Sequence, residues 1–203
     1  MNDPSPTSLS REILAALERP AASVQAHFEP PLPDEYDTYY GRYISKVPPG
    51  DFLSYLRRQV DEVTSFFGAF SPAQADFSYA PGTWTIKEVL GHVTDTERVF
   101  GYRALSIGRL DPNPLPGFDQ DIWMPPAGFG RRSLAELIAE WVVVRASTLT
   151  LAEGFPPSAP LRRGRASDKE FSVRALLYVP AGHVNYHVEV LRERYLASPS
   201  WPV

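Results

Sequence analysis

Apolar residues recur at steps of three and four along four stretches of this chain. Between Gly50 and Phe70 the stripe is Phe52, Tyr55, Leu56, Val60, Val63 and Phe67, widened by Leu53. Between Thr85 and Gly108 it is Ile86, Val89, Val93, Thr96, Val99 and Phe100, with His92 set into it. From Ser133 onward it is Leu134, Leu137, Ile138, Trp141, Val144 and Thr148. Between Ser172 and Leu196 it is Val173, Leu176, Leu177, Val184 and Leu191, with Pro180, His183 and His187 on the same face. This spacing predicts amphipathic helices, each with one side for a shared core. No strand-length alternation competes with it. Four such helices predict an all-α fold, a four-helix bundle.

Local signals sharpen the boundaries. Asp51 stands near the start of the first helix. Thr83 or Thr85 caps the second, and Glu88, three residues after Thr85, completes a capping box. Ser133 and Glu136 repeat that box at the third. Prolines divide the rest. Residues 19–35 contain consecutive prolines and read as an extended linker. Ser8 to Glu18 reads as a short helix with Leu9, Ile13 and Leu17 on one side. Residues 1–35 are therefore expected to be an arm, 36–197 the bundle and 198–203 a tail. The connection from Arg109 to Arg132 is long enough for a crossover and rich in aromatic residues, as loops that cover a site often are. Residues 155–170 are expected to form a further loop.

Composition removes several function classes. The net charge is −4 and no basic stripe is visible, which excludes the footprint of a nucleic-acid binder. No stretch approaches the roughly 20 apolar residues of a membrane span. There is no cysteine, so disulfides and thiolate-bound metals are excluded. That count fits a reducing compartment, and the N-terminus lacks an apolar signal core. A cytoplasmic protein is expected.

The candidate chemistry lies in the histidines. His183 and His187 are four apart, on one helix face. His92 lies on another helix, also toward the core. One reading is three buried imidazoles satisfied by ordinary partners. The other is a shared divalent cation, which takes a lone pair from each ring and leaves coordination positions open for chemistry. His27, in the proline-rich linker, is expected to be exposed. Asp95 and Glu97 are candidate partners of a ligating histidine, whereas Glu189 points away. Arg103 and Arg145 are expected to pair with Asp119, Asp121 or Glu97, or to bind an anionic substrate. Pro180 removes a helix hydrogen bond and is expected to kink the last helix just before His183.

Four segments carry a family resemblance: YAPGTWTIKEVLGHVTDTERVFGYRAL (79–105), LPGFDQD (115–121), AEWVVVRASTLTL (139–151) and AGHVNYHVEVLRERYL (181–196). In content and order they resemble the DinB-like superfamily of damage-inducible and YfiT-like metal-binding proteins. The resemblance implies a four-helix bundle with one long crossover, often a homodimer. It implies a divalent metal, zinc or nickel foremost and iron or manganese as alternatives, bound by His92, His183 and His187. Relatives commonly carry consecutive histidines where this chain has Tyr186 and His187, so Tyr186 is a departure. Some relatives are S-transferases that use low-molecular-weight thiols such as bacillithiol or mycothiol. A thiol-dependent, metal-dependent transferase acting on a small molecule is the first function implied. A metal-dependent hydrolase is the second, and a non-enzymatic, stress-related metal-binding scaffold the third.

Overall fold

The computed structural model describes residues 28–202. The short helix expected at Ser8–Glu18 and His27 lie outside the described residues. Seven α-helices are numbered here in chain order: α1 (Gly41–Ile44), α2 (Phe52–Gly68), α3 (Pro72–Ala75), α4 (Ile86–Gly108), α5 (Gln120–Ala127), α6 (Leu134–Glu153) and α7 (Val173–Val190). Helices α2, α4, α6 and α7 are the four expected bundle helices. Their caps are built as the sequence implies. Asp51 accepts from Leu53 and Ser54 N–H, and Ser172 from Ala175 N–H. Thr85–Glu88 and Ser133–Glu136 both form complete capping boxes. Thr83 instead donates its hydroxyl to the Ala80 carbonyl, 2.7 Å away.

Helix α4 packs mainly on α7 and α6, and α2 packs on α6. Two glycines reveal the direction of α4 and α6. A Cβ on Gly91 would lie 2.5 Å from the Phe129 ring, just before α6. A Cβ on Gly108 would lie 2.3 Å from the Phe155 ring, just after α6. The two helices therefore run parallel, so their connection must travel the length of the bundle. That is the expected crossover. Helix α7 runs antiparallel to α4, since Tyr195 beyond its end donates to the Trp84 carbonyl before α4.

Two expectations need correction. The crossover is not wholly a loop. Asp119 caps α5 by accepting from Asp121 and Ile122 N–H, and Gly128 ends it at φ 65°. Pro125 and Pro126 sit inside its last turn. Residues 155–170 also hold structure. Strand β1 (Arg163–Ala166) pairs antiparallel with β2 (Lys169–Ser172) across a turn in which Ser167 and Asp168 both adopt positive φ. Strands of four residues are too short to show alternation, and Ser-Asp is not the Asn-Gly signal of such turns.

The core contains a charged network that reaches all four bundle helices. Arg145 on α6 clasps Glu97 on α4 through Nε at 2.6 Å and a second nitrogen at 2.9 Å. Both side chains are fully buried. Arg145 also donates to the Gln59 side-chain Oε1 on α2. The Gln59 amide nitrogen lies 2.8 Å from the Ala181 carbonyl and 2.7 Å from Asn185 Oδ1, both on α7. Asn185 in turn donates to the Lys46 carbonyl beyond α1. Of the acids considered for Arg145, Glu97 is its partner. Arg103 pairs with none of them and donates to the Pro116 carbonyl and the Ser167 hydroxyl.

Candidate metal centre

His92 projects from the second turn of α4, and His183 and His187 from α7. Pro180 does not interrupt α7, which continues unbroken through His187. The pair therefore keeps its one-turn spacing. Each of the two ring-bearing segments reads Gly-His, and the structure gives the reason. Gly91 makes room for the Phe129 ring. Gly182 makes room for the main chain of Tyr43, whose carbonyl oxygen would lie 1.8 Å from a Cβ there. A side chain at either glycine would push a neighbouring element away from the adjacent histidine.

The three imidazoles meet at their Nε2 atoms. His183 Nε2 lies 3.1 Å from His92 Nε2 and 3.0 Å from His187 Nε2. All three ligating atoms fall within 4.8 Å of one another. His92 and His183 are buried and His187 is half-buried. Burial pushes His92 down to about 4. Burial, followed by the His92 ring, pushes His187 down to about 3. His183 is driven well below the ordinary imidazole value by burial and then by both neighbours. All three are thus neutral near pH 7, the form that binds a metal.

The donor set fits a cation better than it fits itself. A neutral ring nitrogen carries one proton or one lone pair. His183 Nε2 can make one good hydrogen bond to its two neighbours, not two. A central ion turns all three nitrogens into lone-pair donors at once. His183 Nδ1 has no partner among the described residues. Hydrogen bonding among the three rings can therefore satisfy only one of the two close contacts at His183 Nε2.

Aromatic rings collar the cluster. Trp84 lies 4.8 Å from His92 between ring centres. Tyr43 meets His183 edge-on at 4.9 Å, and Tyr186 meets both Tyr43 and His187 at 5.3 Å. Burial raises the Tyr43 phenol, so it stays protonated. A narrow cleft of about 10 Å³ opens beside His92, room for about one water. Its walls are Asp95 on α4 and crossover residues that include Phe118, Trp123 and Phe129. This collar leaves no pattern in the sequence beyond the aromatic content of the crossover.

The two candidate carboxylates separate. Asp95 shares the cleft with His92, and burial raises its carboxyl against the pull of Arg98. Glu97 is committed to Arg145. Neither hydrogen-bonds a histidine. Glu189 pairs with Lys46, away from the cluster.

A parallel-crossover helical bundle with three convergent neutral imidazoles defines a candidate metalloprotein of the three-histidine type. Residues 55–191 match the family model described as the DinB superfamily. The chain belongs to that superfamily. Among solved structures it is similar to YfiT from Bacillus subtilis, described as "a probable metal-dependent hydrolase with an unusual four-helix bundle topology". The TM-score is 0.58 at 15% identity, covering 86% of this chain and 91% of that one. At this identity the likeness concerns the fold. No curated protein matches the chain.

Proposed function

We propose that this protein is a metal-dependent hydrolase of a small molecule, with His92, His183 and His187 as ligands and Asp95 as general base. The observation that carries this reading is the placement of Asp95 in the cleft beside His92. A divalent ion held there supplies a Lewis acid that acidifies water and polarises an acyl or phosphoryl oxygen. Three neutral nitrogen donors with no thiolate suit zinc or nickel. Asp95, its carboxyl raised by burial, accepts the proton of the attacking water and returns it to the leaving group. The collar of Trp84, Tyr43 and Phe129 excludes bulk water and keeps the rings fixed. The description of YfiT supports the same reaction class.

The thiol-transfer reading is the alternative. Its support is the aromatic cleft wall together with a chain that has no cysteine of its own. In both readings the substrate is a small molecule and the protein works in the cytoplasm as a homodimer. One experiment separates the two. Metal-loaded protein is assayed on ester, amide and phosphoester panels, and on a chlorinated aromatic acceptor with and without low-molecular-weight thiols. Hydrolysis that disappears with chelator and with His92→Ala, and falls about 100-fold or more in Asp95→Asn, is expected. Turnover only when a thiol is present would replace hydrolysis by transfer. Chelator-insensitive hydrolysis would overturn the metal mechanism.

A further inference from the structure

A second cavity, larger than the metal cleft, lies among the ends of α2 and α3 and the starts of α4 and α6. Its volume is about 370 Å³. That is within the range of small-molecule sites, about 300–1,000 Å³. Phe67, Phe70, Leu134 and Ile138 supply apolar walls, and Lys87 is the one charged side chain among the described residues that line it. The polar groups of the wall are otherwise occupied. Thr64 donates its hydroxyl to the Val60 carbonyl, and the Ser133 hydroxyl serves the α6 cap.

Lys87 is an unusual wall residue, since lysine is rarely buried unless paired. It is 8% exposed. Its ammonium has three N–H donors. One meets Asp76 Oδ1 at 2.7 Å, and a second reaches the Gly130 carbonyl at a long 3.4 Å. Asp76 is itself 57% exposed and lies on a surface turn, so water competes for it. The ammonium therefore has donor capacity left beside an apolar chamber. Lys87 also precedes His92 by five residues, which places it about 140° around α4. The chamber and the metal cleft open on different sides of that helix.

We infer that this chamber binds a medium-chain monocarboxylate. Its apolar chain lies against Phe67, Phe70 and Ile138, and its carboxylate accepts a charge-assisted hydrogen bond from Lys87. An apolar wall with one cation, whose present partner Asp76 is solvent-exposed and open to exchange, complements an amphiphile with one anionic end. A cationic or uncharged amphiphile would leave the ammonium without an anion in the chamber. The inference is independent of the reaction proposed for the metal centre.

Titration calorimetry with octanoate, hexanoate and octan-1-ol on the full chain tests it. Octanoate should bind saturably. Its affinity should exceed that of hexanoate by roughly fifteenfold, from two buried methylenes. Octan-1-ol, or octanoate with Lys87→Met, should bind about tenfold more weakly or worse. Ile138→Trp, which fills the chamber, should abolish binding while a circular-dichroism melt confirms the fold. Octan-1-ol binding as tightly as octanoate would overturn the role of Lys87, and that comparison needs no variant. Octanoate binding unchanged in Ile138→Trp would overturn the location. Binding that vanishes in His92→Ala would move the carboxylate to the metal centre and overturn the inference as well.

Discussion

Gly182 and the Tyr43 carbonyl oxygen approach so closely that a methyl group at Gly182 would lie 1.8 Å from that oxygen. The contact is main chain against main chain, so no rotamer change relieves it. It sets α1 on α7 and brings the Tyr43 ring to His183. Gly182→Ala should therefore destabilise the fold by about 2–4 kcal/mol, through forced separation of the two helices. It should also lower metal affinity, because the Tyr43 ring loses its seat. Gly91→Ala first meets a side chain, the Phe129 ring, rather than main chain, and should cost less. Thermal melts of both variants with and without metal check the order. Equal melting temperatures would contradict it.

The three clustered histidines predict an unusual acid response. Unfolded histidines titrate near 6.5, whereas His92 and His187 are held at about 4 and about 3. A group depressed on folding contributes no penalty above its unfolded value. Stability of the metal-free protein should therefore be fully present above pH 6.5 and be lost as pH falls from there toward 4 and below. Metal binding should also be flat between pH 7 and pH 5, because no ligand must first lose a proton. Competition titrations with a chromophoric chelator at several pH values would show this. A steep fall in affinity between pH 7 and pH 5 would mean that the rings titrate normally.

The fully buried Arg145–Glu97 pair should behave as a unit. Arg145→Met alone leaves Glu97 buried without a cation and should cost about 3–5 kcal/mol. Glu97→Leu alone does the same to Arg145. The double variant should recover most of that loss, since two apolar chains replace two desolvated charges. Urea denaturation of the four proteins closes the cycle. Additive losses would show that the pair is not coupled.

His183→Leu should separate the metal from the fold. It removes the ring whose Nε2 crowds both neighbours and whose Nδ1 has no partner among the described residues. The metal-free variant should melt no lower than the parent protein. Added metal at about 1,000 times its dissociation constant should stabilise the parent by roughly 4 kcal/mol and leave the variant unmoved. Elemental analysis should find the variant empty. Retained metal would remove His183 from the ligand set.

The long elements were legible because helical periodicity is strong over many turns. Thr85–Glu88 and Ser133–Glu136 marked two starts within the sequence itself. The β1–β2 hairpin was not legible, because four-residue strands carry no measurable period and its turn uses Ser167 and Asp168. Helix α5 was hidden by Pro125 and Pro126, which argue against helix although they fall only in its last turn. At the candidate site, His183 and His187 followed from their spacing, and His92 from its place on an apolar stripe. The division of labour between Asp95 and Glu97 did not follow. They stand two positions apart, about 200° around the helix, so tertiary contacts alone decide that one faces the cleft and the other Arg145. Pro180, expected to bend α7, does not end it: the helix continues through Pro180 and keeps the histidine spacing.

The amide of Gln59 touches Arg145 on one side and Ala181 and Asn185 on the other, so one side chain couples α2, α6 and α7, with α4 joined through Glu97. No bundle helix can detach without stranding a buried charge or amide of another. Slow backbone amides in all four helices should therefore exchange with solvent at one common free energy, in a single global opening rather than helix by helix. The histidine cluster assembled from two of those helices then persists for as long as the whole molecule stays folded.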